Sequence, residues 1–199
     1  MKVTPASDFA GATTRLADPL EHFVEELWVS AALFAAYDFD VVVDPCAGFG
    51  NVVRSARAAG LAAYGSDIVK RAPFIAGGAD FFAARWRAPA RAGQAFALVS
   101  NPPFGRVRAF CRVGLERAPV VAALTHVEKL TAAVGWAEEL GLARVLAVAP
   151  RPSMWPGEIY ARKLAAGEKL GNGRRNVAWL IFERGRRGAP TFGWARRPA

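Results

Sequence analysis

The sequence has little cysteine and no long apolar run. Its two cysteines, Cys46 and Cys111, provide neither a disulfide framework nor a metal-ligand spacing such as Cys-x-x-Cys, so we expect a reduced, cytoplasmic location and no metal centre. The longest mainly apolar stretch without a charge, 27–37, is far shorter than the roughly 20 residues that span a bilayer. Residues 1–8 lack the apolar segment of a secretory signal. We therefore expect no membrane attachment.

Acidic residues are scarce towards the C-terminus. From residue 141 onward twelve Lys and Arg residues stand against three acids, whereas the residues before it balance fourteen against fourteen. A GC-rich coding bias would explain why Arg outnumbers Lys, but not why acids are missing from one end. The distribution favours a polyanionic partner at the C-terminal third over a merely solvated face.

The composition and the hydrophobic periodicity predict an α/β fold. Hydrophobic residues make up 53% of the chain and charged residues 22%, which excludes disorder and a fibrous repeat. Short apolar runs alternate with helical patterns, so we expect one domain over 1–199, built on a doubly wound, mostly parallel sheet with a last antiparallel strand. The predicted strands are 40–44, 61–66, 96–100, 120–124, 143–149 and 176–183, and the predicted helices are 19–36, 51–59, 107–118 and 126–140.

Two basic segments flank the last predicted strand. Residues 150–175 are rich in Gly, Pro, Lys and Arg and show no helix with a clear apolar face, so we expect a functional loop or a partly ordered insertion. Residues 184–199 form a basic tail. Its charges fit a solvated chain end as well as they fit a surface that contacts a partner. No separate recognition domain fits in the remaining length. Arg151, Arg174 and Arg175 are candidate phosphate ligands because they flank the predicted cleft.

Two predicted strands end in an acid. Asp44 closes the first strand, and the loop that follows contains Gly48 and Gly50, which let a ligand approach the backbone. Asp67 ends the next strand, and an acid about 20 residues beyond a glycine loop suits the hydroxyls of a ribose. In a doubly wound sheet, ligands bind beyond the carboxyl ends of the strands. Together these segments favour a binding site for a nucleoside-containing cofactor over tight turns that bind no ligand.

A third strand ends in Asn101, Pro102, Pro103 and Phe104. The prolines fix φ and remove two backbone donors, so the Asn101 amide and the neighbouring carbonyls present acceptors without competing donors. An exocyclic amino group needs two such acceptors, and Phe104 offers a ring on which a planar base can stack. The alternative interpretation is that Asn101–Phe104 is only a rigid loop after a strand and binds no amine.

The order of these motifs resembles the class I S-adenosylmethionine-dependent amino-methyltransferases, which have a Rossmann-like fold. The stretches that carry the resemblance are Asp44–Gly50, Ser66–Ile68, Ala79–Phe82 and Asn101–Phe104. Within this class the chain is most similar to small phage-borne DNA adenine N6-methyltransferases. Arg151-Pro152 with Trp155, and Val177–Trp179 in the last strand, also match that group.

The resemblance implies S-adenosylmethionine as cofactor and assigns a role to each matching position. The methionine part would lie against Asp44, Gly48 and Gly50, with Cys46 as a small apolar neighbour. Asp67 would bind the ribose, Asp80 the adenine amino group and Phe81 the face of the adenine ring. The target amine would bind at Asn101, Pro102, Pro103 and Phe104, with Trp155 as a second wall for a flipped base. Where the family often has Thr-Pro ahead of its first helix, this chain has Asp18-Pro19.

The resemblance implies methyl transfer to the N6 amino group of adenine in DNA, and the basic C-terminal third agrees with a nucleic acid as partner. Two enzymatic alternatives stay open, an RNA substrate and the glutamine side chain of a protein, since Asn-Pro-Pro-Phe suits any planar amine. A non-catalytic nucleic-acid-binding protein on the same fold is the third alternative.

Overall fold

The computed structural model describes residues 22–88, 96–171, 173 and 175–198. Strands and helices alternate through most of this range. The strands are β1 Phe23–Glu25, β2 Val41–Asp44, β3 Ala62–Gly65, β4 Ala97–Ser100, β5 Val120–His126, β6 Leu142–Ala149, β7 Met154–Pro156, β8 Val177–Glu183 and β9 Thr191–Arg196. The α-helices are α1 Leu27–Phe34, α2 Asn51–Ala58, α3 Val107–Arg117, α4 Leu130–Glu139 and α5 Gly157–Ala165.

Seven strands form one sheet in the order β3-β2-β4-β5-β8-β6-β9. Neighbouring strands are parallel except at β8, which is antiparallel to both β5 and β6. The predicted α/β fold, with its mostly parallel sheet and an antiparallel strand, is confirmed. Strand order reverses between β2 and β4, where doubly wound folds open a crevice for ligands.

The sheet is the middle layer of three. Helices α1 and α2 pack on one face through residues such as Val29 and Val53, and α3 and α4 pack on the other through residues such as Phe110. The strands are continuous apolar runs because both of their faces are covered. In β8 the indole of Trp179 is fully buried, and its Nε1 donates to the Val29 carbonyl at 3.2 Å. The hydrogen bond attaches α1 to the sheet. Truncation of a buried aromatic side chain generally lowers the free energy of unfolding by about 3–5 kcal/mol, so Trp179 is an important part of this packing.

The start of the first helix differs from the prediction. Helix α1 begins at Leu27, and the residues just before it form β1, which pairs antiparallel with β7. The helical spacing of apolar residues over 20–31 concealed this strand because its partner lies about 130 positions away in the sequence. Asp18-Pro19 falls outside the described residues. The positions directly ahead of α1 are Glu25 and Glu26.

Both basic segments contain more regular structure than predicted. The expectation that no helix fills 150–175 is wrong, because α5 follows β7 there. Its apolar face is narrow, with Tyr160 as its buried large side chain, so the periodicity was weak. Residues 184–199 were expected to be a tail, yet β9 extends the sheet beside β6. Within the part of the chain that the structure describes, no helix has both the length and the apolar character needed to cross a bilayer.

Candidate active site

A cavity opens beyond the carboxyl ends of β2, β3 and β4, with β1 forming part of its wall. The loops that follow three parallel strands meet here because their ends share one edge of the sheet. Eight of the sequence-predicted residues line this cavity: Asp44, Cys46, Gly48, Asp67, Asp80, Phe81, Asn101 and Pro103. The predicted residues that lie outside its lining are Gly50, Pro102, Phe104, Arg151, Trp155 and Arg175. Arg174 lies outside the described residues.

Asp44 is the buried acid at the base of the cavity. Its Oδ1 accepts hydrogen bonds from Ser100 Oγ at 2.6 Å and from the Cys46 amide at 3.1 Å. Burial raises the pKa of Asp44 well above its ordinary value, and the Ser100 hydrogen bond opposes that rise. Burial, together with the charge of Asp44, also raises the pKa of the Cys46 thiol. Cys46 is therefore unsuited to nucleophilic chemistry.

The raised pKa of Asp44 predicts a pH-dependent stability. A carboxyl group whose pKa rises on folding stabilises the fold fully below its ordinary pKa of 3.8, and that contribution is lost as pH increases through the raised value. We expect the melting temperature of the unliganded protein to fall across this window and the fall to be shallower in Asp44→Asn. Thermal melts against pH test this, with the exposed Asp40→Asn as control. An Asp44→Asn profile that matches the wild type contradicts the assignment.

Asp67 holds the glycine loop in place. Its Oδ2 accepts the Gly48 amide at 2.8 Å, and its Oδ1 accepts the Val69 amide at 2.9 Å and pairs with Arg71 at 3.1 Å. A carboxylate offers about four acceptor sites, so one remains for a ligand. Asp67 thus joins the loop after β2 to the loop after β3.

The two glycines of the loop after β2 allow close approach of different neighbouring side chains. Gly48 has a φ of +51°, and a Cβ there would lie 2.7 Å from Nε2 of His22, whose ring covers this part of the cavity wall. Gly50 has a φ of +79°, and a Cβ there would collide with the ring of Phe74. Gly50 thus gives α2 its start and makes room for core packing.

Asp80, Phe81 and Phe82 also line the cavity. Asp80 is exposed, and its Oδ1 accepts the Phe82 amide at 2.9 Å. The ring of Phe81 is buried, and its centroid lies within 5.3 Å of the ring centroids of Phe82, Trp86 and Phe110. Phe82 is only half-buried, and the Arg106 guanidinium lies 3.6 Å from its ring centroid. Phe82 is therefore the more accessible ring at this position.

The Asn101 amide is held in one orientation. Its Nδ2 donates to the Phe23 carbonyl and to Glu25 Oε2, each at 2.8 Å. A carbonyl and a carboxylate are acceptors only, so they determine which end of the amide is nitrogen. Asn101 Oδ1 consequently points away from β1. Burial raises the pKa of Glu25, and the Asn101 hydrogen bond opposes that rise.

The rest of the Asn-Pro-Pro-Phe segment is rigid. Pro102 is buried, and the Pro103 carbonyl accepts the Arg106 amide at 2.8 Å in a short 3₁₀ turn. The Phe104 ring contacts the ring of Phe23, with centroids 6.3 Å apart, and that of His126 at 4.2 Å. The segment is thus braced by β1 on one side and by the end of β5 on the other.

Of the predicted nucleic-acid residues that the structure describes, Trp155 lies next to the strand that forms part of the cavity wall. Trp155 pairs with Val24 of β1, its Nε1 donates to the Leu170 carbonyl at 2.9 Å, and Lys163 Nζ lies 5.1 Å from its ring centroid. Arg151 and Arg175 are both exposed. Strand β7 therefore connects the basic insertion directly to the strand that orients Asn101.

Sequence reasoning missed Glu25, Phe82 and Arg106. Glu25 was assigned to a helix, and it stands beside Glu26 between apolar residues, so the sequence alone does not tell which of the two acids is buried. Phe82 directly follows Phe81, and the sequence alone does not tell which ring is covered. Within the described residues no cluster of three His, Cys, Asp or Glu side chains could hold a metal ion.

Comparison with known proteins gives matches in structure alone. No family model matches the chain, and no curated protein matches it. A candidate RNA methyltransferase from Pyrococcus horikoshii superposes with a TM-score of 0.51 at 16% identity, over 80% of this chain and 89% of that one. The 23S rRNA methyltransferase ErmE gives 0.48 at 19% identity over 82% and 68% of the two chains. A dimethyladenosine transferase from Plasmodium falciparum gives 0.43 at 9% identity over 82% and 63%.

These identities are low enough that the likeness concerns the fold and not the chemistry. The strand order, the antiparallel β8 and the superposition on the first of these proteins agree with one another. The chain therefore has a Rossmann-like α/β fold, shared with the candidate methyltransferase from Pyrococcus horikoshii.

Proposed function

We propose that this protein is an S-adenosylmethionine-dependent methyltransferase that methylates an exocyclic amino group of a nucleic acid, the N6 of adenine in DNA. The observation that carries the proposal is the fixed Asn101 amide on the wall of an acid-rich cavity. An oriented acceptor next to a site for a cation is what transfer of a cationic methyl group to a planar amine requires.

The cavity suits a positively charged cofactor. Glu25 and Asp44 are both almost fully buried in its wall, and Asp67 adds a third carboxylate. Buried acids of this kind are stabilised when a cation binds beside them. S-adenosylmethionine, with a sulfonium and an ammonium group, provides such charges; when bound it supplies an electrophilic methyl group, and the amine that accepts the methyl releases one proton to water.

Each part of the cofactor has a candidate partner. Asp44 Oδ1 is occupied by Ser100 and Cys46, so we assign Oδ2 to the methionine end. The remaining acceptor site of Asp67 is assigned to the ribose hydroxyls. Asp80 is assigned to the adenine amino group, with Phe82 rather than the buried Phe81 as the accessible ring face.

On the substrate side, Asn101 Oδ1 accepts one hydrogen of the target amine. A nucleobase amine is a poor nucleophile because its lone pair is delocalised into the ring. When hydrogen-bond acceptors hold its hydrogens, the amine nitrogen more readily becomes pyramidal, which is the form that attacks the methyl group. An acceptor that is already fixed in place does not have to reorient when the reaction occurs. Phe104, braced by Phe23 and His126, offers a ring for the base.

The basic edge of the molecule supports a nucleic-acid substrate. Arg151 follows β6, Arg175 precedes β8, and both are exposed at the edge where the cavity opens. Guanidinium groups in this position can bind the phosphates that flank an extruded base.

Glu25 is assigned as a positioning residue for Asn101. We expect Glu25→Leu to lower kcat about 10-fold, because an unsatisfied Asn101 N–H lets the amide rotate and a lost hydrogen bond to a charged group is worth about 1.5 kcal/mol. Glu25→Gln should restore most of the rate, because its amide oxygen can accept the same hydrogen bond. Single-turnover methyl transfer measures the effect.

The control for Glu25 is the exposed Glu139→Leu, which should behave as the wild type. An equal loss of kcat in the Leu and Gln variants would show that the hydrogen-bond acceptor at this position is not what sets the rate. That result, or an unchanged kcat in Glu25→Leu, contradicts the assignment.

The experiment that tests the proposed function is methylation of separate DNA, RNA and protein pools with methyl-labelled S-adenosylmethionine, followed by digestion of the labelled pool. We expect the label in N6-methyldeoxyadenosine. Label in RNA or in glutamine would move the activity to one of those substrates. Absence of label in every pool, with heat of cofactor binding still seen by calorimetry, would leave a binding protein on the same fold and overturn the proposal.

A further inference from the structure

Strand β9 carries large aromatic side chains on its solvent side. Phe192 and Trp194 are 65% and 51% exposed, while the alternate positions Gly193 and Ala195 face the sheet interior. This reverses the usual arrangement of an edge strand, in which large apolar residues point inward and polar residues outward. A Cβ on Gly193 would already touch Leu146, and Ala195 is fully buried, so the inner face is filled without the aromatics.

The outward side chains form an ordered row that ends in a cation. The Phe192 and Trp194 rings meet edge to face, with centroids 5.7 Å apart, and the Arg196 guanidinium lies 5.6 Å from the Trp194 ring centroid. Alternate residues of a strand are about 6.6 Å apart, so the two rings and the guanidinium follow one another along the strand. Exposed aromatics on a sheet surface, interleaved with arginine, are a platform on which unpaired bases stack.

The row points towards the edge where the cavity opens. Strands β6 and β9 are parallel, so Arg196 lies at the same edge as the residues that follow β6, and Arg197 donates its amide to the Ala149 carbonyl at 2.8 Å. From β4 to β9 there are four inter-strand spacings, about 19 Å. A few nucleotides of single strand span that distance.

The charge around the row is uncompensated. Arg151, Arg175, Arg196 and Arg197 are exposed at this edge. Among the described residues the ion pairs are Arg71–Asp67 and Lys163–Glu168, and neither involves these four arginines. The surface thus combines ring faces with positive charge, which complements the bases and phosphates of a nucleic acid.

We propose that Phe192, Trp194 and Arg196 form a second contact surface for the nucleic-acid substrate, on which unpaired bases flanking the target stack. The inference rests on the proposed nucleic-acid substrate and deepens it. Because stacking uses the ring face that all bases share, the surface supplies affinity without selecting a sequence.

The test is equilibrium binding of fluorescein-labelled 12-mer single strands, one of DNA and one of RNA, to full-length variants. We expect Trp194→Ala to weaken binding about 10-fold, Trp194→Phe to bind as the wild type, and Trp194→Leu to bind as weakly as alanine, because leucine is apolar but has no ring face. Arg196→Ala should reduce the salt slope by about 1, whereas Arg187→Ala, an exposed arginine at the opposite edge of the sheet, should leave it unchanged. Calorimetry should give wild-type S-adenosylmethionine affinity for every variant.

Wild-type binding by Trp194→Ala or by Trp194→Leu overturns the inference; the leucine result would indicate a merely apolar surface. If such a variant also methylates DNA as the wild type does, the proposed function stands and only the surface fails. If the wild-type protein binds neither strand and labels no nucleic-acid pool, the nucleic-acid substrate itself fails.

Discussion

Replacing Asn101 by alanine should lower kcat for methyl transfer about 100- to 1,000-fold, the usual cost of removing one preorganised hydrogen-bonding group at a reacting centre. The side chain donates to the Phe23 carbonyl and to Glu25, so its Oδ1 is a fixed acceptor for the amine. Its loss leaves nothing to orient the attacking nitrogen. Single-turnover methylation of an adenine-containing oligonucleotide measures the rate.

The cofactor affinity of Asn101→Ala should stay near the wild-type value, because we assign the cofactor to the carboxylates of the cavity and not to this amide. Asn176→Ala is the matched control, since Asn176 is exposed outside the cavity. Wild-type turnover by Asn101→Ala would remove Asn101 from the mechanism. A loss of cofactor binding instead of turnover would place it on the cofactor.

The second large effect is expected at Asp44. Asp44→Asn keeps the size of the side chain and an oxygen that can accept from Ser100 and Cys46, so it removes the charge with little change in shape. We expect S-adenosylmethionine to bind about 30- to 100-fold more weakly, since a buried interaction with a charged partner is worth about 2–3 kcal/mol. Isothermal titration calorimetry measures the affinity.

Ser100→Ala separates charge from hydrogen bonding at the same place. It removes the 2.6 Å hydrogen bond to Asp44 but leaves the carboxylate, so its effect should be smaller than that of Asp44→Asn. Cofactor affinity that is equal in Asp44→Asn and the wild type would show that the cation does not bind beside this acid. In that case the cavity would need another occupant.

Local sequence patterns predicted the parts of the site that depend on strand ends. Asp44, Asp67 and Asn101 each end or follow a short apolar run, and parallel strands bring those ends together at one edge. Strand β8 was recognisable because its residues are almost all apolar, as a strand covered on both faces must be.

Long-range pairing was the part that the sequence did not reveal. Strand β1 exists because it pairs with β7, and Glu25 meets Asn101 because that pairing holds it there. Helix α5 has a narrow apolar face, so its stability comes from packing against β1 and β7 more than from its own pattern. The contacts of β1 with β7, with α5 and with Asn101 join residues more than 70 positions apart, beyond the reach of any local periodicity.

The alternation of strands and helices, the acids at the strand ends and the uneven charge could be predicted from the amino-acid sequence, because each depends on residues close to one another in the chain. The orientation of the Asn101 amide, the burial of Phe81 beside the accessible Phe82, and the aromatic row on β9 were decided by the tertiary structure. Each of these depends on which distant residue covers a given side, and only the folded sheet brings those residues together.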